Sequence, residues 1–266
     1  MKIKYLKTGS IWLCMRFFMA SVLSQVLFQW NKLNFNYSKL DTLNIFEKKV
    51  YSQNGEDGII EHIFDIIGTE TKYFVEFGVE DGFECNTRLL SKKRGWRGLL
   101  MDGDGGSNNI QREFVSPKNI NKLFAKYNVP KEFDLLSIDI DSLDYYVWEA
   151  IKPIYKPRVV FVEYNSSIAP DLSLVVENEE NFTWDETNYF GASLAALRKL
   201  GLKKGYTLVA CDKNGVNSFF VQTSILKSLR LSPLSYDVIY FPPGYGMLKN
   251  GVRIGHRLSQ RQMKQL

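Results

Sequence analysis

Short apolar runs alternate with helix-like stretches along most of this chain, and that alternation constrains the fold more than any other feature. The runs are 72–78, 98–102, 133–139, 158–165, 206–211 and 217–222, with a weaker one near Phe114. Helical patterns occupy 52–68, 86–93, 119–127, 142–151 and 192–201. In the first of these, Ile59, Ile60, Ile63, Ile66 and Ile67 share one face. Asn54 is placed to cap it, with Asp57 three residues on, and Gly68 to close it. Strands and helices in alternation predict an α/β fold, a parallel sheet with helices on both faces. The last two runs are joined only by Asp212–Val216, too short for a crossover, so they pair as a hairpin. The expected sheet is mostly parallel, with one antiparallel strand at its end. Such sheets bind ligands beyond the carboxyl ends of their strands, at the switch point.

At the first such end the sequence reads FVEFGVEDG, residues 74–82. Gly78 and Gly82 allow a tight turn and a close ligand. The dinucleotide pattern G-x-G-x-x-G is absent; the spacing is G-x-x-x-G, with Glu80 and Asp81 inside it. Acids there would repel a pyrophosphate. An adenosine cofactor without phosphates, and carrying positive charge, suits the loop better. The second strand ends at Asp102, followed by Gly103 and Asp104, and a carboxylate at that place can accept from both ribose hydroxyls.

FVEFGVEDG followed by GWRGLLMDGD resembles the cofactor-binding half of a class I S-adenosylmethionine (SAM) dependent methyltransferase. The closer likeness is to the FkbM-like, sugar-associated branch. SQNGEDG, LLSIDIDSLDYYVW, VVFVEYN and GASLAALRKLG stand in the order that resemblance requires, over about residues 51–222. It implies a Rossmann-like sheet, with Glu76, Gly78, Asp81 and Gly82 around the methionine end and ribose of SAM. It places Asp102 on the ribose hydroxyls, and Gln53 and Glu56 on the amino-acid side. Many relatives carry Glu-Pro or a single acid where this chain has Asp102-Gly103-Asp104, so either Asp could hold the ribose. For Gln53 and Glu56, helix-start chemistry is the competing role.

Asp139 and Asp141 point to the same side of their strand, as do Glu163 and Asn165 on the next. Neighbouring strands lie ~4.8 Å apart. Asp139, Asp141, Glu163 and Asn165 would then form a set of hard oxygen ligands suited to Mg²⁺ or Mn²⁺. In metal-dependent O-methyltransferases, as the resemblance suggests, such ligands hold the acceptor hydroxyl. Without a metal, Asp139 or Glu163 is the candidate general base. Asp141 and Asp144 also suit a helix start. Asp139 sits inside an apolar strand, where a carboxylate is costly without a partner. Neither histidine, His62 or His256, falls at a strand end, which argues against a histidine base.

The net charge of +5 is unevenly spread. Residues 1–50 carry eight Lys/Arg and two acids, and residues 246–266 carry five Lys/Arg and no acid, so the body between them is acidic at −6. An acidic body argues against a surface that tracks nucleic-acid phosphates. Residues 11–30 are apolar but interrupted by Arg16, Gln25 and Gln29, and no clear signal cleavage site follows. A membrane span, a surface-bound helix and a helix packed on the body all remain open for them. Three widely spaced cysteines, Cys14, Cys85 and Cys211, suit a reducing compartment, hence a cytoplasmic protein with peripheral membrane contact as an option. Between Asn165 and Gly191, a long connection mixes Phe182, Trp184, Tyr189 and Phe190 with acids and amides, as a carbohydrate acceptor would want.

The expected organisation is an extension at 1–50, a methyltransferase-like domain at 51–222 and a second extension at 223–266. The expected activity is SAM-dependent O-methyl transfer to a glycan or glycoconjugate hydroxyl. The rivals are a non-catalytic scaffold of the same fold in polysaccharide assembly or trafficking, and an NAD-type oxidoreductase.

Overall fold

The structure is a computed structural model that describes residues 43–105, 109–140, 143–179, 182–233 and 235–266. The expected segment 11–30 and Asp141 lie outside them. The strands are β1 Tyr73–Phe77, β2 Arg97–Asp102, β3 Ile110–Arg112, β4 Glu132–Ile138, β5 Lys156–Glu163, β6 Leu174–Val175, β7 Tyr206–Cys211 and β8 Asn217–Gln222. All but β6 join one sheet in the order β3-β2-β1-β4-β5-β8-β7. The pairs from β3 through β5 are parallel, and β8 runs antiparallel to both of its neighbours. This is the expected Rossmann-like α/β fold, with one refinement. The antiparallel strand lies one place in from the edge, and β7 forms the edge. Every residue of β8 from Asn217 to Val221 is buried, as a strand paired on both sides requires.

The helices are α1 Glu56–Ile67, α2 Arg88–Arg94, α3 Ile120–Lys126, α4 Asp144–Ala150, α5 Leu194–Lys204, and the short α6 Thr223–Ser228 and α7 Tyr236–Ile239. Alternate strand residues feed opposite faces. Leu135 and Phe161 pack with Ile59, Ile60 and Ile63 of α1. Leu136, Ile138 and Val160 pack with Phe124, Trp148 and Leu197 of α3, α4 and α5. Because the chain winds outward from β1 in one direction and from β4 in the other, the loops after these two strands diverge and open a crevice.

Buried carboxylates tie the connections to this frame. Asp57 is not a partner to an Asn54 cap, because Gly55 holds the cap position of α1. Asp57 Oδ2 instead accepts from the backbone N–H groups of Val50, Tyr51 and Ser52, and Ser52 Oγ accepts from the Asp57 N–H. At the opposite end of the sheet Asp134, fully buried, accepts from the N–H groups of Glu70, Thr71 and Lys72 and from Arg158 at 3.0 Å. Asp144, in the first turn of α4, accepts from the Ile140 N–H at 2.9 Å, so it braces the loop ahead of its helix.

The C-terminal segment packs on the long insertion. A short hairpin of β9 Leu248–Lys249 and β10 Val252–Arg253 precedes β11 Lys264–Gln265, which pairs with β6. Arg257 donates to the Asp185 carbonyl, and Arg261 pairs with Glu179 and lies over the Tyr189 ring. The basic residues here are therefore partly structural rather than a solvated tail. Among the described residues no helix is long and apolar enough to cross a membrane.

Asp134→Ala leaves three backbone donors without their acceptor and removes the carboxylate partner of the partly buried Arg158, which keeps only the Gly68 and Ile67 carbonyls, and is expected to lower stability by about 3 kcal/mol. Removing the exposed Lys126, paired with Glu113 at the surface, should leave stability nearly unchanged. Chemical denaturation of both variants against the parent checks the contrast.

Candidate active site

The crevice between the β1 and β4 loops holds a cavity of about 700 Å³, within the ordinary range of roughly 300–1,000 Å³ for small-molecule sites. Its narrowest element is backbone. Gly78 has φ +73°, and a Cβ placed there would lie 1.4 Å from the carbonyl oxygen of Asp139. No side chain can occupy that position while β1 and β4 keep their places. The Gly78 N–H donates across to the Met101 carbonyl at 3.1 Å, drawing the loop over β2. Gly82 also has positive φ, and its N–H closes a turn on the Val79 carbonyl, but it does not line the cavity.

Among the described residues nine carboxylates line the wall, and no Lys, Arg or His does. Glu76, Glu80, Asp81 and Glu84 come from β1 and its loop. Asp102, Asp104 and Glu113 come from β2 and the segment around β3. Glu56 and Asp139 complete the set. Several of them also build the site. Glu76 is buried inside β1, with Oε1 accepting from the Asn86 N–H at 2.8 Å and Oε2 from the Thr87 N–H at 3.1 Å. It pins the start of α2 to the sheet. Burial pushes its pKa up, against those donors. Asp102 accepts from the Glu80 N–H at 2.8 Å on one oxygen and from the Asp104 N–H at 2.9 Å on the other. It thus joins the first and second loops, and each carboxylate oxygen keeps acceptor capacity. Asp81 Oδ1 accepts from the Phe83 N–H and shapes its own turn.

Of the residues singled out in the sequence, Gln53, Glu56, Glu76, Gly78, Asp81, Asp102 and Asp139 line this one cavity. Glu163 and Asn165 do not. The pairing Ile138↔Val162 puts Asp139 and Glu163 at the next position on each strand. Asn165 is not available to a metal. It is fully buried, its Nδ2 donates to the carbonyls of Asn188 and Phe190, and its Oδ1 accepts from the Ser167 N–H. That amide holds the insertion against β5. Among the described residues no three His, Cys, Asp or Glu converge as metal ligands, so the oxygen set expected for Mg²⁺ or Mn²⁺ is not assembled by them. Asp139 also differs from expectation. It stands just past the end of β4 and is half-exposed, so burial is not what makes it notable.

The insertion's aromatics are core rather than binding faces. Phe182, Tyr189 and Phe190 are buried, and Trp184 and Phe190 pack edge-on against His256. The exposed rings at the cavity are Phe83 and Phe114, 64% and 68% accessible. Sequence reasoning passed over both, and over Asn217, a buried polar residue at the start of β8. The hairpin turn that precedes Asn217 is joined to the loop before α1. Asn214 Nδ2 donates to Asn54 Oδ1, and Asn217 Nδ2 to Glu56 Oε1 at 2.7 Å.

No protein-family model matches this chain, and no curated protein matches it. Solved structures similar in part include TnmH, CurJ and NcsB1. TnmH is 14% identical, with a TM-score of 0.34 over 63% of this chain. The CurJ carbon methyltransferase is 7% identical, with a TM-score of 0.37 over 68%. NcsB1, an O-methyltransferase from neocarzinostatin biosynthesis solved with S-adenosyl-L-homocysteine (SAH), is 14% identical, with a TM-score of 0.30 over 63%. The matches span 57% of the length of each of these proteins. The fold stands on the strand order, independently of these similarities.

Beside Glu56, Asp212 is fully buried in the hairpin turn. Burial pushes its pKa up to about 7, with Glu56 and Glu47 adding to the rise and the Asn217 and Val216 N–H groups opposing it. A folded-state pKa above the unfolded one stabilises the protein fully only below the unfolded value. The melting temperature is therefore expected to fall as pH rises from about 4 to about 7. Asp212→Asn should flatten that slope, as thermal scans across the pH series would show.

Proposed function

We propose that the protein is a SAM-dependent O-methyltransferase. The observation that carries this reading is the charge of the cavity, nine carboxylates and no basic side chain among the described residues, at the switch point of a Rossmann-like sheet. A pyrophosphate-bearing dinucleotide would meet repulsion on every side. An adenosine cofactor with a sulfonium and an ammonium meets attraction. The donor set fits it. Gly78 leaves room for close backbone approach, and Asp102 and Asp104 offer acceptors suited to ribose hydroxyls. Bound SAM supplies an electrophilic methyl group on a positively charged sulfur.

The chain's own residues do the rest. The loops after β1 and β2, fixed by Glu76 and Asp102, hold the cofactor. Asp139, on the wall beside Gly78, would take the acceptor hydroxyl's proton as the hydroxyl oxygen bonds the methyl carbon and the methyl–sulfur bond breaks, its electron pair staying on sulfur. Glu163, at the neighbouring strand end, is a second candidate for the same proton. The acceptor we favour is a polyhydroxylated molecule, a glycan or glycoconjugate. The exposed rings of Phe83 and Phe114, set among Glu80, Glu84 and Asp104, offer the stacking faces and acceptors that sugar hydroxyls use.

SAM and SAH should each raise the melting temperature; a ligand at a hundred times its Kd adds about 2.7 kcal/mol. NAD should leave the melting temperature unchanged. A shift with NAD and none with SAM or SAH would sink this reading. Asp139→Asn should leave SAH binding near that of the parent while lowering kcat by roughly 10²–10⁴ on an accepted hydroxyl substrate. Undiminished turnover would remove Asp139 as the base.

A further inference from the structure

The described residues expose fifteen large apolar side chains, and five of these, Met247, Leu248, Val252, Ile254 and Leu258, lie between residues 247 and 258. Single exposed apolar residues are scattered over any protein, but a cluster of them marks a contact surface. Four of the five belong to the β9–β10 hairpin or to its base. Leu248 and Val252 are each 64% exposed, and no strand residue of the hairpin is buried.

The hairpin is held stiffly. Its two-residue turn, Asn250–Gly251, has φ of 51° and 80°, and positive φ at both positions is what a tight hairpin turn of type I′ requires. At the base, the Ile254 N–H donates to the Met247 carbonyl at 3.0 Å, and the Met247 N–H to that of Gly255 at 2.7 Å. Just before it, the Gly244 N–H donates to the Asn214 carbonyl in the β7–β8 turn at 2.7 Å. The hairpin thus projects from a fixed base, and a partner need not order it.

Its side-chain pattern decides what that partner is. Leu248 stands opposite Arg253, and Lys249 opposite Val252, so each face sets one apolar side chain beside one cation. Neither cation pairs with a carboxylate among the described residues. An apolar protein groove would bury both cations unpaired, which is costly. A second copy of the hairpin would bring like charges together. An anionic bilayer surface accepts both kinds of side chain at once. Apolar groups enter the boundary between headgroups and acyl chains, while Lys and Arg reach back to the lipid phosphates. The dimensions agree. Two strand residues rise ~7 Å, against an immersion of roughly 5–10 Å for interfacial elements. Residues 246–266 carry five Lys/Arg and no acid, so an anionic surface attracts this end of the chain and repels the acidic body.

We propose that the β9–β10 hairpin docks the protein on an anionic lipid bilayer. Leu248 and Val252 enter the interface, and Lys249 and Arg253 meet the phosphates. This stands independently of the cofactor reading.

Co-sedimentation of the full chain with lipid vesicles tests it. The chain should bind mixed phosphatidylcholine–phosphatidylserine vesicles more tightly than phosphatidylcholine alone, and less tightly as salt rises. Lys249→Gln combined with Arg253→Gln should weaken binding roughly thirtyfold. Leu248→Ser combined with Val252→Ser should weaken it roughly tenfold or more. All four side chains are exposed, so both variants should keep the parent's melting temperature. Equal binding by parent and variants overturns the proposal and moves the contact elsewhere, as to 11–30. Equal binding to neutral and anionic vesicles overturns it, as does no binding to either. A parent that self-associates instead, with variants that stay monomeric, would make the hairpin an interface between copies and also overturn it.

Discussion

The close approach of Gly78 to the carbonyl of Asp139 sets the geometry on which the rest of the site depends. The two main chains leave β1 and β4 at the switch point, where the sheet's winding reverses. They can pass this closely only because residue 78 has no side chain and a positive φ. That contact places Asp139 on the cavity wall. The Gly78–Met101 hydrogen bond carries the first loop over β2, where Glu80 meets Asp102. The elements of the site are thus linked through backbone, and the side chains are arranged around it.

Carboxylates in this protein divide by what they accept. Asp57, Asp134, Asp144 and Asp212 are buried and hold backbone N–H groups of loops. Glu56, Glu76 and Asp102 do the same while also facing the cavity. Glu80, Asp81, Glu84 and Asp104 lie on its exposed wall. The bracing is what lets so much negative charge share one cavity. Each buried carboxylate exchanges water for oriented N–H donors, and at Glu76 and Asp212 burial outweighs those donors and raises the pKa.

Much of this was legible in the chain, because strand and helix periodicities are local signals. The six principal runs and the hairpin follow from spacing alone, as does the place of the site at the strand ends. The roles of the acids were harder to read. SQNGEDG looks like a helix cap, yet Asp57 reaches back to Val50–Ser52 and Gly55 takes the cap position. Asn165 looks like a ligand by strand parity, yet the insertion claims both ends of its amide. Trp184 and Phe190 look like sugar platforms until the C-terminal segment brings His256 onto them. Each misreading has one cause: the deciding partner is far away in sequence, and periodicity carries no information about it.

The inserted position of β8 shows how such a distant partner shapes the cavity. Were β8 the edge strand, β7 would lie beside β5 and Asn217 would sit one strand further from it. With β8 next to β5, Asn217 stands opposite Glu163 in the register and reaches Glu56 across the cavity wall. The turn that precedes it is fastened from two sides, by Asn54 and by the Gly244 N–H of the C-terminal segment. One choice of strand order thus converts the last hairpin of the sheet from an edge closure into a wall of the cavity. The same choice sets the Asn217 amide against the buried Glu56 carboxylate.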